Sequence, residues 1–397
     1  MNVTLVYGYG LKNAGDMAIT EGAIDFLLSH NCKVKVVMRY NRTNFEFKES
    51  YDYLLNRYGN KIELFESPFT LDRTEGFGTT LSNYIDGFLK LIGFKGSPEL
   101  HNIISWSDYV LFDGGNLFRC ENLTDYARLK ALFFPLKVAY KKGIPFSILP
   151  QSASNINFLG KRSIKNIVKK AEYVFLREPS SFKKMNKYYP ESSEKFYQSL
   201  DMAYLTNRDL DPDFDNIEIN NNTIAITVRA QTVGDLKDLG EHYASKIEKQ
   251  ITETAKYFLD KGYKILMVSQ CIKDDEITKK ITKELSGNVD LIYERNPAKL
   301  RRIYSDVELL IGMRLHSIIM AASVGTLSYG YFMKEWGLKN PGMMNLMQLP
   351  FSFVDDSGIE QDKVNELLED LDNQVIFVRG KIEELKGILE EKIFDPK

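Results

Sequence analysis

The chain has 397 residues, and since domains usually run to roughly 100–200 residues, two domains are expected. Its apolar fraction of 44 % and charged fraction of 27 % are ordinary for a globular protein, and the net charge of −2 shows none of the basic excess that marks a nucleic-acid binder. The three cysteines, Cys32, Cys120 and Cys271, form no C-x-x-C pair, which argues against a zinc or redox pair and fits a reducing cytosol.

The opening Met1-Asn2-Val3-Thr4-Leu5-Val6 is too short an apolar run for a signal peptide, and no apolar stretch of about 20 residues follows. The expectation is therefore a cytoplasmic protein. Residues 3–7 predict a strand ending at Gly8, Tyr9 and Gly10, followed by Asn13-Ala14-Gly15-Asp16 and an amphipathic helix, then a strand over 34–38. Strand, glycine-bearing loop, helix and strand is the rhythm of a parallel sheet. It continues with a strand over 109–112 ending at Asp113-Gly114-Gly115-Asn116, a helix over 127–141, and strands over 146–150 and 173–177. Residues 81–104 are amphipathic and aromatic, which reads as a packed helix or as a lip touching membrane or a lipid-linked acceptor.

Residues 207–222 are rich in Asp and Asn and predict a linker. A second alternating series follows, with strands over 223–229, 263–269, 289–293, 307–311 and 326–329. Helices are predicted over 241–261, 275–285, 297–303 and 317–324. The expected organisation is a first doubly wound α/β domain over 1–206, the linker, a second over 223–354, and a charged helical tail over 355–397 docking back on the first. Open parallel sheets bind ligands beyond the carboxyl ends of their strands, so the active site is expected in a cleft between the two domains.

Chemistry concentrates at those strand ends. Gly312-Met313-Arg314-Leu315-His316-Ser317 stands where a strand gives way to a helix. A helix start offers unpaired N–H groups and partial positive charge to a phosphate or carboxylate. Arg314 adds a planar cation and His316 a group that titrates near neutrality. The other histidines, His30, His101 and His242, have no comparable setting. Arg229 emerges at the end of the first strand of the second domain, and Lys334 follows the last one. In the first domain Asp16 either caps the helix or holds a substrate hydroxyl, and Asp113-Gly114-Gly115-Asn116 and Gln151 lie at strand ends. None of these glycine turns has the spacing of a dinucleotide or phosphate-cradling loop.

These motifs, in this order, resemble the polysaccharide pyruvyl transferase family from the Asn13-Ala-Gly-Asp16 element to Lys334. Between them stand Asp113-Gly-Gly-Asn116, Pro150-Gln-Ser152, Arg177-Glu-Pro-Ser-Ser181, Ser199-Leu-Asp201, Val228-Arg229, Arg314-Leu-His-Ser317 and Tyr329-Gly-Tyr-Phe-Met-Lys334. Asn116 departs from the pattern, since many relatives carry a third glycine there. The resemblance implies a two-domain fold like the GT-B glycosyltransferases, with phosphoenolpyruvate as donor and no cofactor or obligatory metal. The acceptor would be a sugar of a cell-surface polysaccharide, such as an exopolysaccharide, a capsule or a lipid-linked precursor. By the matching positions Arg229, Arg314, Leu315 (through its backbone), His316, Ser317 and Lys334 lie on the donor side. Asn13, Gly15, Asp16, Asp113, Gly114, Gly115, Asn116 and Gln151 lie on the acceptor side. His316 is the expected general acid and Asp16 the expected base. The rival reading is a nucleotide-sugar glycosyltransferase of the same architecture, with the arginines on a diphosphate. A silent sugar-binding or scaffold protein is the third.

Overall fold

The structure, a computed structural model, describes all residues except 12, 45–46, 70–96, 208–218, 220–221, 230–239, 355–356 and 396–397. The chain divides into two compact units. The first comprises Met1–Leu11, Asp16–Leu210 and Leu385–Lys397, and the second Lys12–Gly15 and Asp211–Glu384.

The first unit runs β1 (Asn2–Gly8), α1 (Ala14–Ser29), β2 (Lys33–Met38), α2 (Phe47–Tyr58), β3 (Ile62–Phe65), α3 (Pro98–Trp106), β4 (Tyr109–Phe112) and β5 (Gly115–Cys120). It continues with α4 (Leu123–Leu132), α5 (Phe134–Lys141), β6 (Phe146–Ile156), α6 (Phe158–Val168), β7 (Val174–Leu176), α7 (Pro179–Tyr188) and β8 (Phe196–Gln198). The strands pair in parallel in the order 3-2-1-4-6-7-8, with β5 pairing β6. A parallel sheet is covered on both faces, so its strands read as unbroken apolar runs. Val3, Leu5 and Val6 of β1 are fully buried, as are Val110, Leu111 and Phe112 of β4. Each such side chain contributes about 1.5–3 kcal/mol by leaving water.

The second unit holds β9 (Thr223–Thr227), α8 (Gly240–Asp260), β10 (Lys264–Ser269), α9 (Asp275–Glu284), β11 (Val289–Tyr293), α10 (Pro297–Ser305) and β12 (Leu309–Gly312). After these come α11 (Leu315–Ser323), β13 (Ser328–Phe332), α12 (Lys339–Leu346), β14 (Phe351–Phe353), α13 (Gln361–Glu369) and α14 (Leu371–Phe394). Its six strands are all parallel, in the order 11-10-9-12-13-14. Both sheets thus start at a central strand, build outward, and return to build the other way. That reversal leaves a crevice beside the first strand, the switch point at which such sheets bind ligands.

Several expectations shift. The helix expected over 127–141 is two helices, α4 and α5, with Phe133 between them and Pro135 in the first turn of the second. The linker over 207–222 and the membrane lip over 81–104 fall largely outside the described residues, although the end of the lip forms part of α3. The tail does not dock wholly on the first unit. Residues up to Glu384 cluster with the second, and only Leu385–Lys397 joins the first, where Phe394 stacks on His30 at 4.1 Å between ring centroids. Among the described residues no helix is long and apolar enough to cross a membrane.

Candidate functional site

In the second unit the switch point lies between β9 and β12, which pair directly. β9 is five buried residues, Thr-Ile-Ala-Ile-Thr, and Arg229 follows it after buried Val228. β12 ends at Gly312, and Arg314, the N-cap of α11, follows it. The loops after these two paired strands therefore bring the two arginines within range of one another's charge. A Cβ on Gly312 would meet the Ile318 side chain at 2.6 Å, so glycine permits the tight entry into α11.

Arg314 donates from Nε to Asp274, whose carboxylate is fully buried. The Nη2 of Arg314 and the second carboxylate oxygen of Asp274 are buried without hydrogen-bond partners among the described residues. Arg229 lies over the indole of Trp336 at 4.3 Å from the ring centroid. Its Nε, and the Nε1 of Trp336, are likewise buried and unmatched among the described residues. Burial, and then the charge of Arg314, push the Arg229 guanidinium down to about 10, with Asp274 and Cys271 pulling the other way. It stays a cation at neutral pH. Two guanidiniums bearing on one another with unfilled N–H groups form an arrangement that a multivalent anion completes.

α11 starts directly after Arg314. The amides of Leu315 and His316 have no acceptor four residues back within the helix. The Leu315 side chain is buried, so only its backbone can serve a ligand. Ser317 is buried in the first turn of α11. Its hydroxyl lies 2.9 Å from the Thr227 hydroxyl and donates to Arg314 O at 2.6 Å, tying α11 to β9. His316 is half-buried, and Gly15, which clusters with this unit, lies against it. A Cβ on Gly15 would fall 2.3 Å from the His316 ring. Lys334 opens the short turn after β13. It is exposed and its ammonium rests over Phe353 at 5.5 Å, while Trp336, two residues on, meets Arg229.

In the first unit the switch point lies between β1 and β4. Asp113 at the end of β4 is fully buried, accepts from the Thr20 hydroxyl at 2.6 Å and from Gly114 N at 2.8 Å, and burial pushes its carboxyl up to about 7. Gln151 is equally buried, its amide donating to Asp113 O at 2.6 Å and accepting from Leu117 N at 3.1 Å. Both residues hold the loop through these hydrogen bonds. Gly114 passes close to the Pro150 carbonyl, and Gly115 has φ +119 with the Tyr9 hydroxyl where a Cβ would stand. Asn116 is half-buried and accepts from the Ser154 hydroxyl at 2.8 Å.

At the start of α1, Asn13 takes the capping role by accepting from Gly15 N at 3.1 Å, which leaves half-buried Asp16 in the first turn. Arg177, Glu178, Ser152, Ser181 and Asp201 form a buried network in which Arg177 pairs with Asp201 and donates to Ser152 Oγ at 2.7 Å. Their motifs therefore brace the strand ends. Sequence reasoning missed Trp336, although the chain has only two tryptophans. The pairing of Asp274 with Arg314 was missed as well. Among the described residues no group of three or more His, Cys, Asp or Glu is placed to hold a metal ion.

Two Rossmann-like parallel-sheet units define a GT-B-type protein. The same fold occurs in the UDP-GlcNAc 2-epimerase of Neisseria meningitidis solved with UDP-GlcNAc, at 14 % identity and a TM-score of 0.59 over 99 % of this chain and 99 % of that one. It occurs again in a glycosyltransferase from Rickettsia africae, at 11 % identity and a TM-score of 0.55, covering 99 % of each chain. The family model described as polysaccharide pyruvyl transferase matches residues 13–331, and the chain belongs to that family of transferases.

Proposed function

We propose that this protein transfers pyruvate from phosphoenolpyruvate to a sugar of a cell-surface polysaccharide or its precursor, forming a cyclic ketal and releasing phosphate without a metal. The observation that carries this reading is the pair Arg229 and Arg314 flanking the β9–β12 switch point with buried, unfilled N–H groups. Phosphoenolpyruvate presents a carboxylate and a phosphate on adjacent substituents of one small carbon frame. Two guanidiniums and a helix start match that charge pattern.

In the proposed reaction His316 gives a proton to the methylene carbon, and C2 becomes oxocarbenium-like. One sugar hydroxyl adds to C2 and yields its proton to a base, for which Asp16 is the candidate. The C2–O bond to phosphate then breaks, and the second hydroxyl adds and closes the ketal. Of the two hydroxyl protons released, one balances the proton given to carbon and the other leaves with phosphate. Fixing donor and acceptor together makes each addition near-unimolecular.

Phosphoenolpyruvate at about 100 times its Kd, with chelator present, should raise Tm by roughly 5 °C, since a ligand of the native state stabilises it. A shift with UDP and none with phosphoenolpyruvate would transfer the arginines to a nucleotide-sugar donor. Phosphate release against a panel of sugar acceptors then tests the transfer itself. Trp336→Leu should weaken phosphoenolpyruvate about 10-fold by calorimetry, because a partly desolvated cation–π contact is worth about 1–2 kcal/mol. An unchanged affinity would leave Trp336 as packing alone.

A further inference from the structure

The net charge of −2 conceals a strong division. Residues 119–195, all in the first unit, carry sixteen Lys and Arg against six Asp and Glu, a surplus of ten positive charges. The remaining residues carry thirty-six against forty-eight, a surplus of twelve negative ones. Ion pairs take up Arg119, Arg128 and Arg177 of this segment, while α6 and α7 turn cations outward. On α6 the buried positions are Gly160, Ser163, Ile164, Ile167 and Val168. The opposite face exposes Phe158, Leu159, Arg162 and Lys165 and runs on through Lys169 and Lys170 beyond the helix, with no acid in the stretch. Of these, Lys165 is matched by Glu191 at 2.7 Å.

The face extends to the neighbouring helices. Lys161 lies over the Tyr188 ring of α7 at 3.9 Å, and α7 exposes Lys183 and Lys187. On the other side Lys170 lies over Tyr140 of α5. Burial, and then the charges of Lys130, Lys170 and Lys141, push the Lys137 ammonium down, so like charges crowd there too. The apolar tips belong to the same surface. Phe158 is 75 % exposed at the start of α6, and Leu123 is 74 % exposed at the start of adjacent α4. Both helices start from carboxyl ends of the sheet's strands, the edge at which such a sheet takes its ligand.

We infer that this face of the first unit docks the protein on an anionic lipid surface, with Phe158, Leu123 and Leu159 entering the headgroup layer and the α6 cations meeting the phosphates. Basic residues ringing exposed large apolar side chains are what an anionic bilayer selects, since the cations supply attraction and the apolar tips supply burial. A soluble anionic polymer would use the cations and leave Phe158 and Leu123 in water. The inference is independent of the donor chemistry, because none of these residues belongs to the crevice of the second unit.

Co-sedimentation of the full chain with vesicles of about 30 % phosphatidylglycerol in phosphatidylcholine, against phosphatidylcholine alone, tests it. The expected result is binding to the anionic vesicles that falls sharply between ~0.1 and ~0.5 M salt, with little binding to neutral ones. Each lost cation should weaken binding about 5-fold, so Arg162→Glu, Lys169→Glu and Lys170→Glu together should weaken it by more than ~100-fold. Phe158→Ser with Leu159→Ser should weaken it about 10-fold at unchanged charge. Both variants should keep the wild-type Tm, which separates lost docking from lost folding. Equal binding to both vesicle types, or indifference to the triple reversal, would overturn the proposal. So would binding to dextran sulfate without binding to anionic vesicles.

Discussion

Replacing Arg314 or Arg229 by lysine will lower kcat/KM for phosphoenolpyruvate about 100-fold each, although both changes keep the charge. A guanidinium presents paired, coplanar donors to a carboxylate or phosphate, and an ammonium offers one point of charge. A hydrogen bond to a charged group is worth about 1.5–3 kcal/mol, so losing one of a pair costs about 10- to 150-fold. Lysine is the informative substitution because Arg314 has two duties. It neutralises Asp274, whose carboxylate is fully buried. Arg314→Ala would strand that charge, at about 3–5 kcal/mol of stability, and confuse folding with donor use. Initial rates of phosphate release at limiting donor, with Tm measured alongside, check the expectation. Wild-type rates in both lysine variants would show that these residues are not the donor clamp.

The strands were legible because a parallel strand buried on both faces must be apolar throughout. β1, β4, β9 and β12 therefore appear as short runs, and the polar residue ending each run marks the ligand edge. Arg229 and Arg314 were legible for that reason, each standing just past such a run. β6 was cut short at Pro150 because its second half, Gln151-Ser-Ala-Ser-Asn-Ile, is polar. It remains a strand because β5 pairs alongside it, a partnership between distant segments that local composition does not record.

The same limit explains Asp113 and Gln151. A polar residue at a strand end reads as a ligand contact, and local composition does not record the partners its atoms already have, here Thr20, Gly114, Leu117 and the Asp113 carbonyl. Trp336 was missed for a related reason, although Lys334 lies near it in sequence. Both lie in one short turn after β13, Lys334–Trp336, and its conformation decides which side chain meets Arg229 and which rests on Phe353.

His316→Gln should lower kcat by about 10²–10⁴-fold while changing phosphoenolpyruvate affinity less than about 3-fold, and His316→Ala should do the same. The difference follows from what else holds the donor. In the proposed reaction Arg229, Arg314 and the first amides of α11 carry the anion's charge whether or not an imidazole stands beside them. Proton delivery to the methylene carbon has no comparable support, since His316 is the histidine placed at this switch point. Glutamine keeps a hydrogen-bonding group of similar reach but exchanges no proton near neutral pH, so it separates positioning from acid catalysis. A residue acting only on the transition state depresses kcat and kcat/KM together, whereas one that merely holds the donor raises KM. Phosphate-release kinetics over a range of donor concentrations, with calorimetric titration of phosphoenolpyruvate, distinguish the two. A glutamine variant with near-normal kcat and weakened donor binding would make His316 part of the anion cradle and leave the proton to another group.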